Sequence, residues 1–177
     1  MFKQLNLKHK STGRFLILLV LLLTLGLVIA PAAQAFESRN GDSVLIGPDE
    51  VIEDDLYVFA MTLDLKGTVD GDLIFFGQSA TIEGTVTGDV IAAGQQVILS
   101  GQVNDDARIA GYAIELSGDL GDDLVAIAFS LDHQDDATTG GDVVYAGYQA
   151  NLAGQVNGDA NVTGGAVAIE GTIAGDA

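Results

Sequence analysis

Cysteine and tryptophan are absent from the 177 residues, and proline occurs only twice. The lack of cysteine excludes disulfides, thiolate catalysis and Cys-ligated metals together. Basic residues are nearly missing after Ala35. Only Arg39, Lys66 and Arg108 lie there, against all 25 acidic residues, so residues 36–177 carry a net charge of −22. Such a chain has no electrostatic basis for binding nucleic acid. It is not drawn to anionic lipid headgroups either, and it should gather an atmosphere of cations. Acidity with 6% aromatics can signal disorder. Here the acids are interleaved with regularly spaced Val, Ile, Leu and Phe, which favours an ordered core.

The first residues reverse the pattern. Lys3, Lys8, Lys10 and Arg14 precede any acid, and "FLILLVLLLTLGLVIA" (Phe15 to Ala30) has no charge. The small residues Ala33 and Ala35 follow in an A-x-A arrangement. A basic stretch, an apolar stretch and that ending predict an export signal over residues 1–35, cut after Ala35. An uncleaved membrane anchor is the alternative for the same segment.

What fills the remainder is repetition. An Asp recurs at Asp55, Asp72, Asp89, Asp106, Asp123, Asp142, Asp159 and Asp176, in steps of 17 residues with a single step of 19. Copies counted from five residues before each Asp begin at Glu50. Seven are complete by Glu170, and an eighth starts at Gly171. The third, seventh, ninth, fourteenth and sixteenth positions are mostly apolar; Val69, Leu73, Phe75, Ala80 and Ile82 are one set. Positions 7 and 9, and 14 and 16, alternate as strands do. Gly is nearly constant at position 11, and Gly or Asp fills position 5, as expected at turns where φ is positive.

Each copy therefore predicts about three short strands and three corners. A lone copy cannot pair its strands in parallel, nor can its few inward side chains offset the cost of ordering it. Copies stacked as coils satisfy both needs. The expected fold is an all-β, right-handed parallel β-helix of roughly triangular section over residues 50–177. Seven coils spaced about 4.8 Å apart would make a rod roughly 35 Å long. A left-handed hexapeptide helix would need 18-residue coils, and a nonapeptide Ca²⁺ solenoid would need Gly-Gly-x-Gly-x-Asp units. Residues 36–49 fall outside the repeat. "SVLIG" (Ser43 to Gly47) is either a capping strand or part of a linker.

The runs "GTVDGDLIFFG" (Gly67 to Gly77) and "IEGTVTGDVIAAGQQVILSG" (Ile82 to Gly101), with "IEGT" again at Ile169 to Thr172, resemble the bactofilins, the polymer-forming cytoskeletal family. The resemblance covers Glu50 to Ala177. It implies a right-handed β-helix that joins end to end into filaments without nucleotide, a scaffold rather than an enzyme. Members of that family are typically cytoplasmic. The export signal departs from this and points to an envelope or surface scaffold.

The repeat also places candidate chemistry. Asp55, Asp72, Asp89, Asp106, Asp123, Asp142, Asp159 and Asp176 would form one column. Each carboxylate could accept a backbone N–H at a corner, or the column could be a cation ladder for Ca²⁺, which favours oxygen ligands. No other cofactor is expected, and no confident metal site. Paired acids invite a polysaccharide-cleaving reading, but such sites sit under long loops, and the copies differ by only one two-residue insertion. No catalytic residue is assigned. His133, beside Asp132, Asp135 and Asp136, is expected in a solvated loop at that insertion. Tyr112, Phe129 and Tyr148 share position 12, either as a sugar-stacking strip or as corner packing. Thr68, Thr85, Thr138 and Thr172 share position 2, but Gln102, Asp119 and Gln155 interrupt any flat Thr array.

The chain stops within the eighth copy with no polar cap. An uncapped solenoid end is a sheet edge that invites pairing, or else the sequence continues in a longer protein. The residues expected at polymerising ends are Val51, Leu56 and Val58 on one side, and Val167, Ile169 and Ile173 on the other. Expected partners are further copies of the chain, the membrane through the N-terminal segment, and cell-wall glycan, but not nucleic acid.

Overall fold

A computed structural model describes residues 36–177; the expected signal or anchor, residues 1–35, lies outside the described residues. The alternation at positions 7, 9, 14 and 16 becomes strands. They are β1 (Glu37–Ile46), β2 (Val51–Ile52), β3 (Leu56–Leu65), β4 (Thr68–Val69), β5 (Leu73–Ile82), β6 (Thr85–Val86), β7 (Val90–Leu99), β8 (Gln102–Val103) and β9 (Ala107–Leu116). There follow β10 (Asp119–Leu120), β11 (Leu124–His133), β12 (Thr138–Thr139), β13 (Val143–Leu152), β14 (Gln155–Val156), β15 (Ala160–Thr163), β16 (Ala166–Ile169) and β17 (Thr172–Ile173).

Every pairing is parallel and joins equivalent positions of adjacent copies. Leu56 pairs with Leu73, Leu73 with Val90, and Val90 with Ala107. The long strands make one sheet in the order β1-β3-β5-β7-β9-β11-β13-β15, with β16 also on β13; the two-residue strands make a second, from β2 to β17. The described chain is thus an all-β parallel solenoid of eight layers, with no helix.

Two of the three expected strands per copy are continuous. Between β3 and β5 the ladder includes Ala60 with Gly77 and resumes at Thr62 with Ser79, passing over Met61 and Gln78. Position 12 is therefore a corner inside one long strand. Only in the last layer does that corner separate two strands, β15 and β16.

The inward columns are dry. Leu56, Leu73, Val90, Ala107 and Val143 are fully buried, as are Leu65, Ile82, Leu99 and Leu152. In column nine large and small side chains alternate: Phe75 lies between Val58 and Ala92, and Tyr145 lies on Ala126. The buried Tyr145 hydroxyl is within 2.9 Å of the Ala128 carbonyl and 2.8 Å of the Gln149 carbonyl. A buried polar group needs such partners.

The glycines are explained differently from the sequence expectation. Among the described residues only Gly41 has positive φ. Most of the others are held to glycine by close approach of layers: a Cβ on Gly101 would lie 2.0 Å from the Gly84 carbonyl oxygen, whereas nothing lies within 4 Å of a Cβ on Gly47.

Residues 36–49 supply a layer. Strand β1 pairs with β3 from Glu37 opposite Leu56 to Ile46 opposite Leu65, a step of 19. The step from β11 to β13 is also 19. Both take up the extra residues in a tight turn, closed by Glu50 N–H on the Gly47 carbonyl at 3.0 Å and by Ala137 N–H on the Gln134 carbonyl at 3.1 Å.

That turn also corrects the place of His133. The insertion falls after it, at Asp135 and Asp136, so His133 remains the last residue of β11, in register between Leu116 and Leu152. It is fully buried rather than solvated.

Candidate functional site

The aspartate column sits where each copy turns into its long strand. Oδ1 of Asp55, Asp72, Asp89, Asp106, Asp123, Asp142 and Asp159 each accepts the main-chain N–H of the Asp one layer on, at 2.7–3.1 Å. Asp176 supplies the last donor. The side chain thus continues the hydrogen bonding between layers at a corner where strand pairing stops. The preceding residue packs closely where it is Gly: a Cβ on Gly88 would meet Asp72 Oδ1 at 2.1 Å, although Asp105 and Asp122 stand at the same position with the column bond kept.

Where Asp replaces that Gly, carboxylates gather. Asp89, Asp105 and Asp106 form one triplet and Asp106, Asp122 and Asp123 a second, each with ligand oxygens within 4.8 Å of one another. The first already has a cation. Arg108 places Nη1 2.6 Å from Asp89 Oδ2 and Nη2 against Asp106 Oδ2. In the second, the charge of Asp123 pushes the exposed Asp122 carboxyl above its ordinary range. An oxygen-rich group of this kind suits Ca²⁺ chemically.

The two ends of the described stack differ. Leu56 and Val58 are not edge residues: β1 covers them and both are fully buried. Val51 is exposed, on β2. In β1 two of the inward columns carry charge, because Glu37 stands over Leu56 and Arg39 over Val58, while Val44 over Leu63 and Ile46 over Leu65 remain apolar and buried. Arg39 Nε reaches Glu37 Oε1 at 2.8 Å, and its Nη2 reaches Glu50 Oε1 at 2.6 Å. Hydrogen bonding to Arg39 holds the Glu50 carboxyl below its ordinary range. Inward-pointing charge discourages a sheet edge from pairing. The Glu37-x-Arg39 signal sits in a segment without the repeat signature, so the repeat could not flag it.

At the other end the columns are apolar. Val167 is 43% and Ile169 44% exposed, whereas Ala150 and Leu152, their partners one layer in, are buried. Ile173 is partly buried against the core.

Tyr112, Phe129 and Tyr148 are exposed at the corner, not packed inside it. Tyr112 and Phe129 stack with centroids 4.9 Å apart and planes at 2°, and Phe129 and Tyr148 at 5.0 Å and 17°. Tyr112 and Phe129 border a groove of about 760 Å³ that also includes Asp132, Gln149 and Asn151. Because the rings stack on one another, their faces are largely taken by neighbours, and a sugar ring would meet mainly edges.

His133 makes one hydrogen bond, Nε2 to Thr139 Oγ1 at 3.1 Å, while its buried Nδ1 has no partner. Burial pushes the imidazole below its usual pKa. The unfolded chain takes up this proton near pH ~6.5, the folded chain only at lower pH. The neutral histidine is therefore tolerated above that value, and stability falls as the pH drops through it. Replacing His133 by Leu and Thr139 by Val should raise the melting temperature more at pH 5 than at pH 8. The added gain should be about 2–4 °C per kcal/mol of proton linkage. Thermal melts at both pH values measure it; an equal gain at both would show that His133 does not titrate on unfolding.

Comparison with family models, curated proteins and solved structures finds no match to this chain.

Proposed function

We propose that this chain is a non-enzymatic, self-assembling scaffold of the cell envelope. It is an exported right-handed β-helix of roughly triangular section, and its copies join end to end by edge pairing and continuation of the apolar columns; on the β1 side the junction takes in Arg39 already paired with Glu37 and Glu50. The observation that carries this reading is that each layer is completed by its neighbour, through parallel strands in matched register and continuous buried columns. The bactofilin-like runs and the export-type N-terminal segment support it. So does the uniformity of the layers, whose short connections leave no long loop to build a catalytic site.

Negative-stain electron microscopy of residues 36–177, with and without Ca²⁺, tests it; Ala35–Ala177 cluster as one compact unit that holds the core. Filaments are expected in both conditions. Ile169→Asp, with its circular dichroism unchanged, should cut the sedimentable fraction about tenfold or more, because burying an unpaired carboxylate at a junction costs several kcal/mol. Filaments that persist in that variant, or isolated rods from the unaltered sequence, would overturn end-to-end assembly. Filaments only with Ca²⁺ would assign work to Asp106, Asp122 and Asp123. The second reading, a module that gathers cations or glycan, rests on that triplet and the groove beside Tyr112. Rods whose melting temperature rises with Ca²⁺ or a soluble glycan would favour it.

A further inference from the structure

The outward side chains of the first half of the long strands, at positions 8, 10 and 12, form a face unlike the rest of the solenoid. From β3 to β13 it carries no acidic residue. Its most exposed side chains include Phe59 at 50%, Tyr112 at 61%, Ile127 at 64% and Tyr148 at 56%. Its one charge, Arg108, is engaged by Asp89 and Asp106. Phe59 and Phe76 stack near one end of this face, and Tyr112, Phe129 and Tyr148 toward the other, with Ala93 and Ala110 between them. The second half of the same strands is mostly polar outside, with Asp64, Thr81, Glu115 and Asp132; Ile98 and Ala113 are the exceptions.

We infer that this face pairs with the same face of a second copy, side by side, as an interaction distinct from the end-to-end junction. Charge selects the occupant. Two chains of net charge −22 repel wherever carboxylates meet, and this face alone brings them together without acids. A cationic partner would be drawn to the acidic faces instead.

The size suits a weak, reversible pair. Six strands about 4.8 Å apart and five residues at about 3.3 Å give a footprint of about 29 by 16 Å. Both copies together would cover roughly 900–1,000 Å², near the lower bound for a specific interface. Sheets pack face to face about 10 Å apart, within about 30° of alignment. A two-fold axis between β7 and β9 makes the contact isologous. It sets the Phe59–Phe76 pair of one copy against the Phe129–Tyr148 stack of the other, and brings Ala93 and Ala110 close to their counterparts.

The absence of cysteine makes this testable. Residues 36–177 carrying Ile169→Asp, which keeps the ends apart, would receive Ala110→Cys or, as a control on the polar face, Thr81→Cys. A short bismaleimide should link A110C into a dimer and leave T81C monomeric. Sedimentation velocity of the cysteine-free protein should show a monomer–dimer equilibrium, weakened at least ~10-fold by Phe76→Glu with circular dichroism unchanged. Equal cross-linking at both positions, or a monomer at 100 µM, would overturn the proposal. So would uptake of the monomer by phosphatidylcholine vesicles without any dimer, which would assign the face to lipid.

Discussion

Truncation of Phe75 to alanine is expected to cost about 3–5 kcal/mol, the range for emptying an aromatic site in a packed core. Phe75 is fully exposed to its neighbours and not at all to water. It fills the space that column nine leaves between Val58 and Ala92. Its ring also occupies the room beside Gly77, where an added Cβ would come within 2.6 Å of the ring Cζ. Main-chain pairing on both sides holds the layers at strand spacing, so the walls cannot collapse into the cavity. The adjacent Phe76 points outward and stacks on Phe59 at 5.8 Å; its truncation should cost under about 1.5 kcal/mol. Urea unfolding of residues 36–177 measures both. Because layers couple mainly to their neighbours, hydrogen exchange in the Phe75 variant should accelerate first in β3, β5 and β7. A loss below about 1 kcal/mol would refute the packing role given to column nine.

Gly101→Ala is the second large effect. Its Cβ would lie 2.0 Å from the Gly84 carbonyl oxygen, an obstacle made of main chain that no side-chain rotation relieves. Gly84 and Gly118 stand in the same column, so a shift at one layer presses on the next. Overpacking usually costs about 1–3 kcal/mol, and a rigid obstacle places this variant at the upper end. That is a fall of roughly 6–12 °C in melting temperature for a chain of this size. Gly47→Ala is the control: nothing lies within 4 Å of its Cβ position and its φ is not positive. Equal melting temperatures for the two variants would show that conformational freedom, not layer spacing, selects glycine at position one.

The layered architecture was legible because strand alternation and a 17-residue period are independent signals that agree. That each column carboxylate accepts a backbone N–H at a corner was one of two readings the repeat offered; that the donor is the Asp one layer on is seen only in the structure. The extra first layer was not legible. Phe36 stands where the others have Asp, and a 19-residue step hides the register. That omission displaced the expected edge by one layer and put Leu56 and Val58 at a surface they do not reach. His133 could have been placed by counting, since it is the sixteenth residue of its copy. Its charge capacity and acidic neighbours suggested a loop, while the main-chain register put it in the core beside Thr139. The exposure of Tyr112, Phe129 and Tyr148 depended on which way a corner turns, and periodicity carries no information about that.

The hydrogen bonds between layers, including those of the aspartate column, run along the axis of the stack. A pull on one end of the chain therefore loads one layer at a time. Each detached layer frees about 55–60 Å of extended chain, while the layers behind it stay closed. Such a rod can lengthen under tension by paying out thread, as a spool does.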